Sequence, residues 1–394
     1  MDTYLQKMER NLKVAPIRAF FSSLIFIVSI WYSFETQFAT PEQLSFMYAV
    51  LHLLIVFLEL PSGALADLMG RRKAVSLGLF INAFSFIIIG LSKNINWLWA
   101  GYLIGASGEA LVSGAIDALN FDSLKELGRE NTFSQFSSYM GVIFRSGMII
   151  ATLSGGYLYS IYKGLPYIAM GISTIIASLL TLLFTEPKID SEKFSLKSYI
   201  QQIKTGAKEL NKNEYMKDFS LYYILVGGIT WYVIYFLGTA FATEIGFTVV
   251  ERSWLFASIF FFSSIILYKL THLGIMDRDR AYLMFPILMI LGFLPGFWAN
   301  KIIAVFCLSL VQFASMARFS ILNQYSNLEI DSKYRATAIS AMNMIVSIVF
   351  SVIAIIGGKI ITIYGSGMIM TLLGVLSLVT VLPTAQVLIK KKLR

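Results

Sequence analysis

Long runs of apolar residues alternate with short polar connections along almost the whole chain. A helix needs about 20 mostly apolar residues to cross the hydrocarbon core, and it satisfies its backbone polar groups within the segment, which lipid cannot do. The runs therefore predict an all-α membrane protein with twelve transmembrane helices. Their predicted spans are residues 15–34, 42–65, 74–92, 97–122, 132–159, 165–184, 217–242, 251–270, 281–297, 301–326, 336–358 and 366–386.

The start of the second helix carries its own signal in the sequence. Thr40 suits the N-cap position, and Pro41 suits the first helical position. Gln43 follows at the third, where its side chain can reach back to the N-cap N–H. The pattern predicts a reciprocally capped helix start at this point.

Composition agrees with a membrane protein and narrows its chemistry. Apolar residues make up 57% of the 394 positions and charged residues 14%, whereas soluble domains contain about 45–50% apolar residues. One cysteine, Cys307, and two distant histidines, His52 and His272, exclude a disulfide framework and a cysteine metal cluster. The residues before the first span lack a signal-peptide cleavage site, so that helix should remain in the membrane. We expect no metal and no organic cofactor.

Basic residues are concentrated in alternate connections between the helices. Of the 32 Lys and Arg residues, 25 fall in the two termini and every second loop, five in the other loops, and Arg145 and Arg318 inside spans. Because Lys and Arg are retained on the cytoplasmic side, both termini should be cytoplasmic. This topology accounts for the net charge of +9, and we expect no nucleic-acid partner.

One long polar stretch, residues 185–218, divides the chain into halves. We predict an N-terminal six-helix bundle over residues 1–187, a cytoplasmic linker over 188–216 and a C-terminal six-helix bundle over 217–394. Apolar residues at helical spacing in the linker predict an amphipathic helix on the membrane surface or, as readily, a solvated helix.

The two halves share short sequence repeats. Leu119-Asn120 recurs as Leu322-Asn323, and Gly155-Gly156 recurs as Gly357-Gly358, at offsets of 203 and 202 residues. Such an internal repeat indicates two related bundles. A substrate site between two such bundles is the arrangement used by transporters that work by alternating access.

The connection between the second and third helices reads Gly63-x-x-x-Asp67-x-x-Gly70-Arg71-Arg72. This motif, together with the helix count and the repeat, resembles the signature of the major facilitator superfamily of secondary transporters. A shortened counterpart occupies residues 274–280 in the loop between the eighth and ninth helices. The fifth helix resembles the drug-antiporter glycine motif at Gly147, Gly155 and Gly156. The resemblance implies the superfamily fold and favours the drug and multidrug efflux branch.

The same resemblance implies a charged gate at the cytoplasmic side, which we call the latch. Its implied members are Gly63, Asp67, Gly70, Arg71, Asp122 and Arg335. Asp67, Arg71 and Asp122 would form one half, and Arg335, at the start of the eleventh helix, would pair with them. Glycine at positions 63 and 70 would permit close helix approach and a tight turn. We expect the latch to keep the cytoplasmic side closed while the outer side is open.

Ionisable side chains inside a span are costly, so each is a candidate functional group. At 100° per residue, the polar residues of the fourth helix fall within a sector of about 80°. They are Glu109, Ser113, Asp117 and Asn120. We expect this sector to face the central cavity, with Glu109 and Asp117 as coupling carboxylates. A structural ion pair is the alternative.

Two arginines, Arg145 and Arg318, lie well inside predicted spans. Arg145 on the fifth helix is at a depth similar to that of Glu109, so it either pairs with that carboxylate or takes part in transport. Arg318 on the tenth helix, with Gln312 and Asn323, holds the matching position in the second half. Without an acidic partner, Arg318 would bind an anionic group of a substrate, pair across the cavity with Asp117 or extend toward the interface.

Aromatic side chains offer a further set of cavity candidates. On helices that line the cavity in the resembled family, those able to stack on an amphipathic substrate are Trp31, Tyr32, Trp231, Tyr232 and Tyr235. Interfacial belts and helix packing are the alternative role for such rings.

These observations predict a secondary active transporter, and not an enzyme, that exports small amphipathic or drug-like molecules in exchange for protons. Gly101 stands where many proton-coupled members carry an arginine, so coupling would depend on carboxylates. A symporter or a carrier of an anionic metabolite is the alternative, and a polytopic membrane enzyme a remote one. We expect small-molecule substrates, lipid contacts, a monomer, and a place in the cytoplasmic membrane of a prokaryote.

Overall fold

The computed structural model describes residues 3–113, 115–188, 201, 204, 206, 208–272, 277–330 and 335–392. Within these, the side chains at positions 59–68, 272, 327, 335–337 and 392 lie outside the description. Most of the predicted linker helix over 188–216 also lies outside the described residues.

All regular structure in the described residues is helical, which confirms the all-α prediction. The first half contains α1 (Thr3–Ser22), α2 (Trp31–Glu35), α3 (Pro41–Met69), α4 (Arg71–Gly90), α5 (Ile95–Val112), α6 (Ala115–Glu126), α7 (Phe133–Ile161) and α8 (Leu165–Thr181). The second half contains α9 (Glu214–Tyr232), α10 (Gly238–Glu244), α11 (Val249–His272), α12 (Arg278–Phe293), α13 (Lys301–Glu329), α14 (Arg335–Tyr364), α15 (Ser366–Leu376) and α16 (Leu382–Lys392). By length and composition, nine helical segments of the described residues can cross a membrane.

The chain divides into two units. Unit 1 comprises residues 1–38 and 54–196, and unit 2 comprises residues 39–53 and 197–394. The helix α3 therefore contributes its first part to unit 2 and its second part to unit 1.

The start of α3 has the predicted cap. The backbone N–H of Thr40 donates to Oε1 of Gln43 at 3.0 Å, and the N–H of Gln43 donates to Oγ1 of Thr40 at 3.3 Å. Two N–H groups that the helix cannot satisfy are thereby paired. The sequence prediction of a reciprocally capped start is confirmed.

The first predicted span, 15–34, is wrong as a continuous helix, because α1 ends at Ser22 and α2 begins at Trp31. At the break, the hydroxyls of Ser22 and Ser23 donate to the carbonyl oxygens of Ala19 and Phe20, at 3.1 and 2.7 Å. Such bonds compete with the helical pattern. The run of isoleucine and valine that follows loses side-chain freedom in a helix and favours it less.

Glycines of α7 accommodate this irregular segment. A Cβ atom at Gly147 would lie 2.0 Å from the Ser23 hydroxyl, and one at Gly155 would lie 2.0 Å from the carbonyl oxygen of Phe26. Non-helical backbone at membrane depth must be covered by protein or face a cavity. The glycines of the resembled drug-antiporter motif therefore allow α7 to cover the break.

The fourth predicted span, 97–122, is also interrupted. The helix α5 ends at Val112, Ser113 adopts φ −54° and ψ 123°, and α6 begins at Ala115. The break falls between Glu109 and Asp117, so the calculation of a common sector, which assumed one continuous helix, does not apply across it.

Two helices of unit 2 contain one turn of π-helix each. Val233–Leu237 joins α9 to α10, and Ser377–Val381 joins α15 to α16. Such turns shift the side-chain register within a helix and are frequent at functional sites. The first of them directly follows Trp231 and Tyr232, two of the predicted cavity aromatics.

Candidate functional site

Unit 1 contains a cavity of about 510 Å³. Its walls come from α5 and α6, on the two sides of the break in the fourth predicted span. The C-terminal end of α1 and parts of α4, α7 and α8 complete them. The lining residues are Arg18, Ala19, Ser22, Ile25, Leu79, Asn82, Phe86, Glu109, Val112, Ile116, Asp117, Asn120, Ser137, Met140, Gly141, Phe144, Met170 and Thr174.

Three charged side chains face this cavity. Arg18 of α1, only 7% exposed, interacts electrostatically with Asp117 in the first turn of α6. Glu109 accepts a hydrogen bond from Nδ2 of Asn82 at 3.2 Å. Gly108 leaves room for that amide, since a Cβ at this position would lie 2.5 Å from Oδ1 of Asn82. With two carboxylates and one guanidinium, the lining carries a net negative charge.

Two buried polar atoms on the cavity wall have no hydrogen-bond partner in the described structure. They are Nε of Arg18, a donor, and Oδ1 of Asn120, an acceptor. Buried polar groups are nearly always paired, and an unpaired one is destabilising. A polar ligand in the cavity could satisfy both.

Much of the remaining wall of the cavity is apolar. Phe86 and Phe144 contribute rings, and Met140 and Met170 contribute flexible, polarisable side chains. A molecule with an apolar body and a charged group would find both kinds of surface here.

The structure brings together some of the predicted site residues of the first half and not others. Glu109, Asp117 and Asn120 line the cavity, whereas Arg145 is exposed outside it. Trp31 and Tyr32 are 5% and 4% exposed, and their rings pack edge to face at 5.5 Å. Ser113 lies at the helix break and is not part of the lining. The roles of all these residues in transport stay predictions.

Aromatic rings surround Arg318, which is one of the predicted residues of the second half. Its guanidinium carbon lies 4.3 Å from the ring centroid of Tyr223, 5.4 Å from that of Trp231 and 5.1 Å from that of Phe319. The hydroxyl of Tyr223 donates to Oδ1 of Asn323 at 2.8 Å. Gln312 is buried on the same helix as Arg318, six residues toward its N-terminus.

The other two predicted aromatics of the second half pack against neighbouring rings. Tyr232 is buried and stacks on Phe236 at 5.7 Å. Tyr235 is 42% exposed and lies 4.7 Å from the ring of His52.

The latch region contains an ion pair and a helix cap. Arg71 and Asp122 form a salt bridge. Both carboxylate oxygens of Glu186 accept backbone N–H groups at the start of α4, from Arg71 at 2.7 Å and from Arg72 at 2.9 Å. Gly70 precedes them with φ +88°, a conformation that glycine adopts without strain. The side chains of Asp67 and Arg335 lie outside the description, and Gly63 lies within α3.

Unit 2 has a corresponding cluster at the shortened copy of the motif. Arg278 forms a salt bridge with Glu329 and lies 5.2 Å from the ring centroid of Tyr325. Tyr325 is offset by 203 positions from Asp122. The residues at these two equivalent positions therefore each contact an arginine. Asp122 does so through its carboxylate and Tyr325 through its aromatic ring.

Arg18, Asn82 and Glu186 are among the residues of these sites that sequence reasoning missed. Arg18 lies inside the predicted first span but was grouped with the basic residues of the N-terminus. Asn82 was one polar residue within an apolar run, and Glu186 was noted only as the residue before Pro187. For the first two, polarity inside a predicted span was the available signal; nothing in the sequence indicated that Glu186 caps α4.

Comparisons with known proteins place the chain among transporters. The family model of the Major Facilitator Superfamily matches residues 17–354. The tetracycline resistance protein of class H from Pasteurella multocida is 25% identical over 152 residues, 38% of this chain and 37% of that protein. Multidrug resistance protein 1 of Bacillus subtilis is 23% identical over 150 residues, 38% of this chain and 36% of that protein. The matched regions thus span little more than a third of these relatives.

Solved structures resemble the chain over nearly its whole length. The nucleoside transporter NupG matches with a TM-score of 0.76 and 16% identity, covering 96% of this chain and 99% of that one. A bacterial homolog of the human lysosomal transporter Spinster matches with a TM-score of 0.73 and 16% identity, covering 99% and 98%. This likeness confirms the twelve-helix fold. The chain is an integral membrane transporter, not an enzyme, and it belongs to the major facilitator superfamily.

Proposed function

We propose that this protein exports small amphipathic, drug-like molecules that carry a positive charge, in exchange for protons. The observation that carries the proposal is the cavity of unit 1, where Glu109 and Asp117 line a largely apolar wall. Relatives named for tetracycline and multidrug resistance support the substrate class. The broken helices at this cavity also support it, because discontinuous helices form the substrate sites of several families of secondary transporters.

Exchange follows from what a carboxylate can hold. A protonated Glu109 or Asp117 is neutral and does not attract a substrate cation, whereas the ionised form does. Proton and substrate therefore compete for the same groups, which is the requirement for antiport. When the cavity is empty, the positive charge of Arg18 would compensate the negative charge of Asp117. An incoming cation must therefore compete with Arg18 for this carboxylate.

We place the protein in the cytoplasmic membrane of a prokaryote, as a monomer with both termini inside. Residues 1–187 and 217–394 would be the two bundles that work by alternating access, joined by the linker 188–216. The excess of basic residues in alternate connections supports this orientation.

The proposal is tested with purified protein in liposomes that have an acidic interior and DNA trapped inside. Ethidium that enters in exchange for protons fluoresces on the DNA, and rhodamine 6G, as a second aromatic cation, should compete with it. We expect uptake well above that of protein-free liposomes, and its loss when nigericin collapses the pH gradient. Ethidium uptake that is unchanged when the pH gradient is collapsed would exclude proton coupling. Absence of ethidium uptake above that of protein-free liposomes would exclude the proposed substrate class.

The latch makes a separate prediction. Replacing Asp122 with Asn should lower the ethidium transport rate several-fold while the protein still folds, because the amide keeps a hydrogen-bond acceptor for Arg71 but loses the charge. Exchanging the two charges, with Arg71→Asp and Asp122→Arg together, should restore part of the rate. Glu9→Gln, which removes an exposed ion pair with Arg129, is the matched control and should have no effect. Equal rates for Asp122→Asn and the control would refute the latch.

A further inference from the structure

Arg318 is a buried positive charge without an acidic partner in the described structure. Its side chain is 0% exposed. No salt bridge joins it to any described carboxylate, and the groups that influence it electrostatically are the phenols of Tyr223 and Tyr235. A charge held away from water is strongly destabilising unless it is paired and hydrogen-bonded.

The aromatic rings around Arg318 compensate it only in part. Tyr223, Trp231 and Phe319 approach the guanidinium within 4.3–5.4 Å, and their faces attract a cation. The ring faces attract the positive charge, but they do not replace the hydrogen-bond acceptors that the guanidinium N–H groups require. Nη2 donates to Oδ1 of Asn343 at 3.3 Å, but Nε and Nη1 have no hydrogen-bond partner in the described structure.

Further unpaired donors belong to neighbours of Arg318. The hydroxyl of Ser315 is buried and unpaired, and Ser315 precedes Arg318 by three residues, so both lie on one face of α13. Nε1 of Trp231 is also buried without a partner. Oε1 of Gln312 is unpaired too, but it is an acceptor and does not belong to this donor set.

A glycine of α9 leaves room for the guanidinium. A Cβ at Gly227 would lie 2.7 Å from the guanidinium carbon and 2.8 Å from Nη2 of Arg318. Alanine at this position would displace the group. The fold therefore holds a charged donor in a defined place and leaves its remaining N–H groups unsatisfied.

We propose that Arg318, Ser315 and Trp231 form a binding site for one small monovalent anion, which we call the Arg318 site. A single positive charge is neutralised by a single negative charge. Guanidinium, hydroxyl and indole groups all donate hydrogen bonds, and a halide or a carboxylate accepts them. Because aromatic rings enclose the site, the anion must be compact.

The anion has two possible sources, a free halide or the carboxylate of a transported molecule. The proposal does not depend on the direction of transport or on proton coupling, since binding is measured without a gradient. Thermal unfolding of the purified full-length protein is followed in sodium gluconate, whose anion is too bulky for the site. Chloride, bromide or benzoate then replaces gluconate at constant ionic strength.

We expect the unfolding temperature to rise and saturate with one of these anions, because a ligand that binds only the folded state stabilises it. Saturation with chloride and bromide identifies a halide site, and saturation with benzoate alone identifies a carboxylate site. Ser315→Ala should weaken the apparent affinity about three- to tenfold, the effect of losing one hydrogen bond. Arg318→Gln and Gly227→Ala should abolish the response.

Arg280→Gln, at a side chain that is 68% exposed, is the control and should respond like the natural protein. If Arg318→Gln does not fold, the anion titrations of the natural protein and of Ser315→Ala still decide the matter. The proposal is overturned if none of the three anions stabilises the protein relative to gluconate. It is also overturned if Ser315→Ala keeps full affinity, or if Arg318→Gln keeps the response.

Discussion

Glu109→Gln and Asp117→Asn should each reduce proton-driven ethidium uptake by at least about 100-fold, the effect typical of removing a group that transfers a proton. Both side chains face the cavity of unit 1. The amides keep the size of the carboxyl groups but cannot carry their negative charge or release a proton near neutral pH. The rate of uptake into acidic liposomes is the measurement.

The control for this experiment is Glu130→Gln. Glu130 is an exposed carboxylate in the short turn before α7, outside the cavity. The Glu130→Gln variant should transport ethidium at the rate of the natural protein. All three variants should unfold at similar temperatures, because none of the replaced carboxylates is buried. If Glu109→Gln and Asp117→Asn both retain proton-driven uptake, coupling through these carboxylates is wrong.

The second large effect should follow from Gly155→Ala, which we expect to destabilise the protein by about 3 kcal/mol or to prevent its accumulation. The added methyl would lie 2.0 Å from the carbonyl oxygen of Phe26. Since this oxygen belongs to backbone, no side-chain rotation can relieve the clash. The whole segment between α1 and α2 would have to move away from α7.

Gly141→Ala on the same helix is the matched control, because a Cβ there meets nothing within 4 Å. Alanine is the better helix former by up to about 1 kcal/mol, so this variant should be neutral or slightly more stable. Thermal unfolding in detergent compares the two. Equal unfolding temperatures would show that the irregular segment does not require the glycine at position 155.

The effect also connects the glycines to transport. The segment that Gly147 and Gly155 allow to pack begins at Ser23, immediately after Ser22, which lines the cavity together with Ile25. Displacing the segment would change the cavity wall itself. A variant that accumulates despite the clash should therefore bind its substrate more weakly.

Much of the architecture follows from local pattern. The apolar runs predicted the helices, since a membrane segment must satisfy its own backbone hydrogen bonds. The capped start of α3 followed from Thr40 and Gln43, which are near neighbours in the chain. Local signals of this kind predict structure well because the groups involved are only a few residues apart.

The two errors of continuity have the opposite origin. Nothing in the hydropathy of residues 15–34 or 97–122 marks a break. In α1 the break depends on hydroxyls that bond back to the preceding turn and on two glycines of α7, more than 120 residues away in the chain. The periodicity of one segment carries no information about which residues of another helix pack against it.

The sequence by itself determined the helical class, the family signature at Gly63 to Arg72 and the presence of acids within the fourth predicted span. Only the tertiary structure decided which groups each charge interacts with: Arg18 with Asp117, Arg71 with Asp122, Glu186 with the start of α4, and Arg318 with aromatic rings in place of an acid. The reason is physical. Helix formation depends on neighbours along the chain, whereas the pairing of a buried charge depends on which helices pack together.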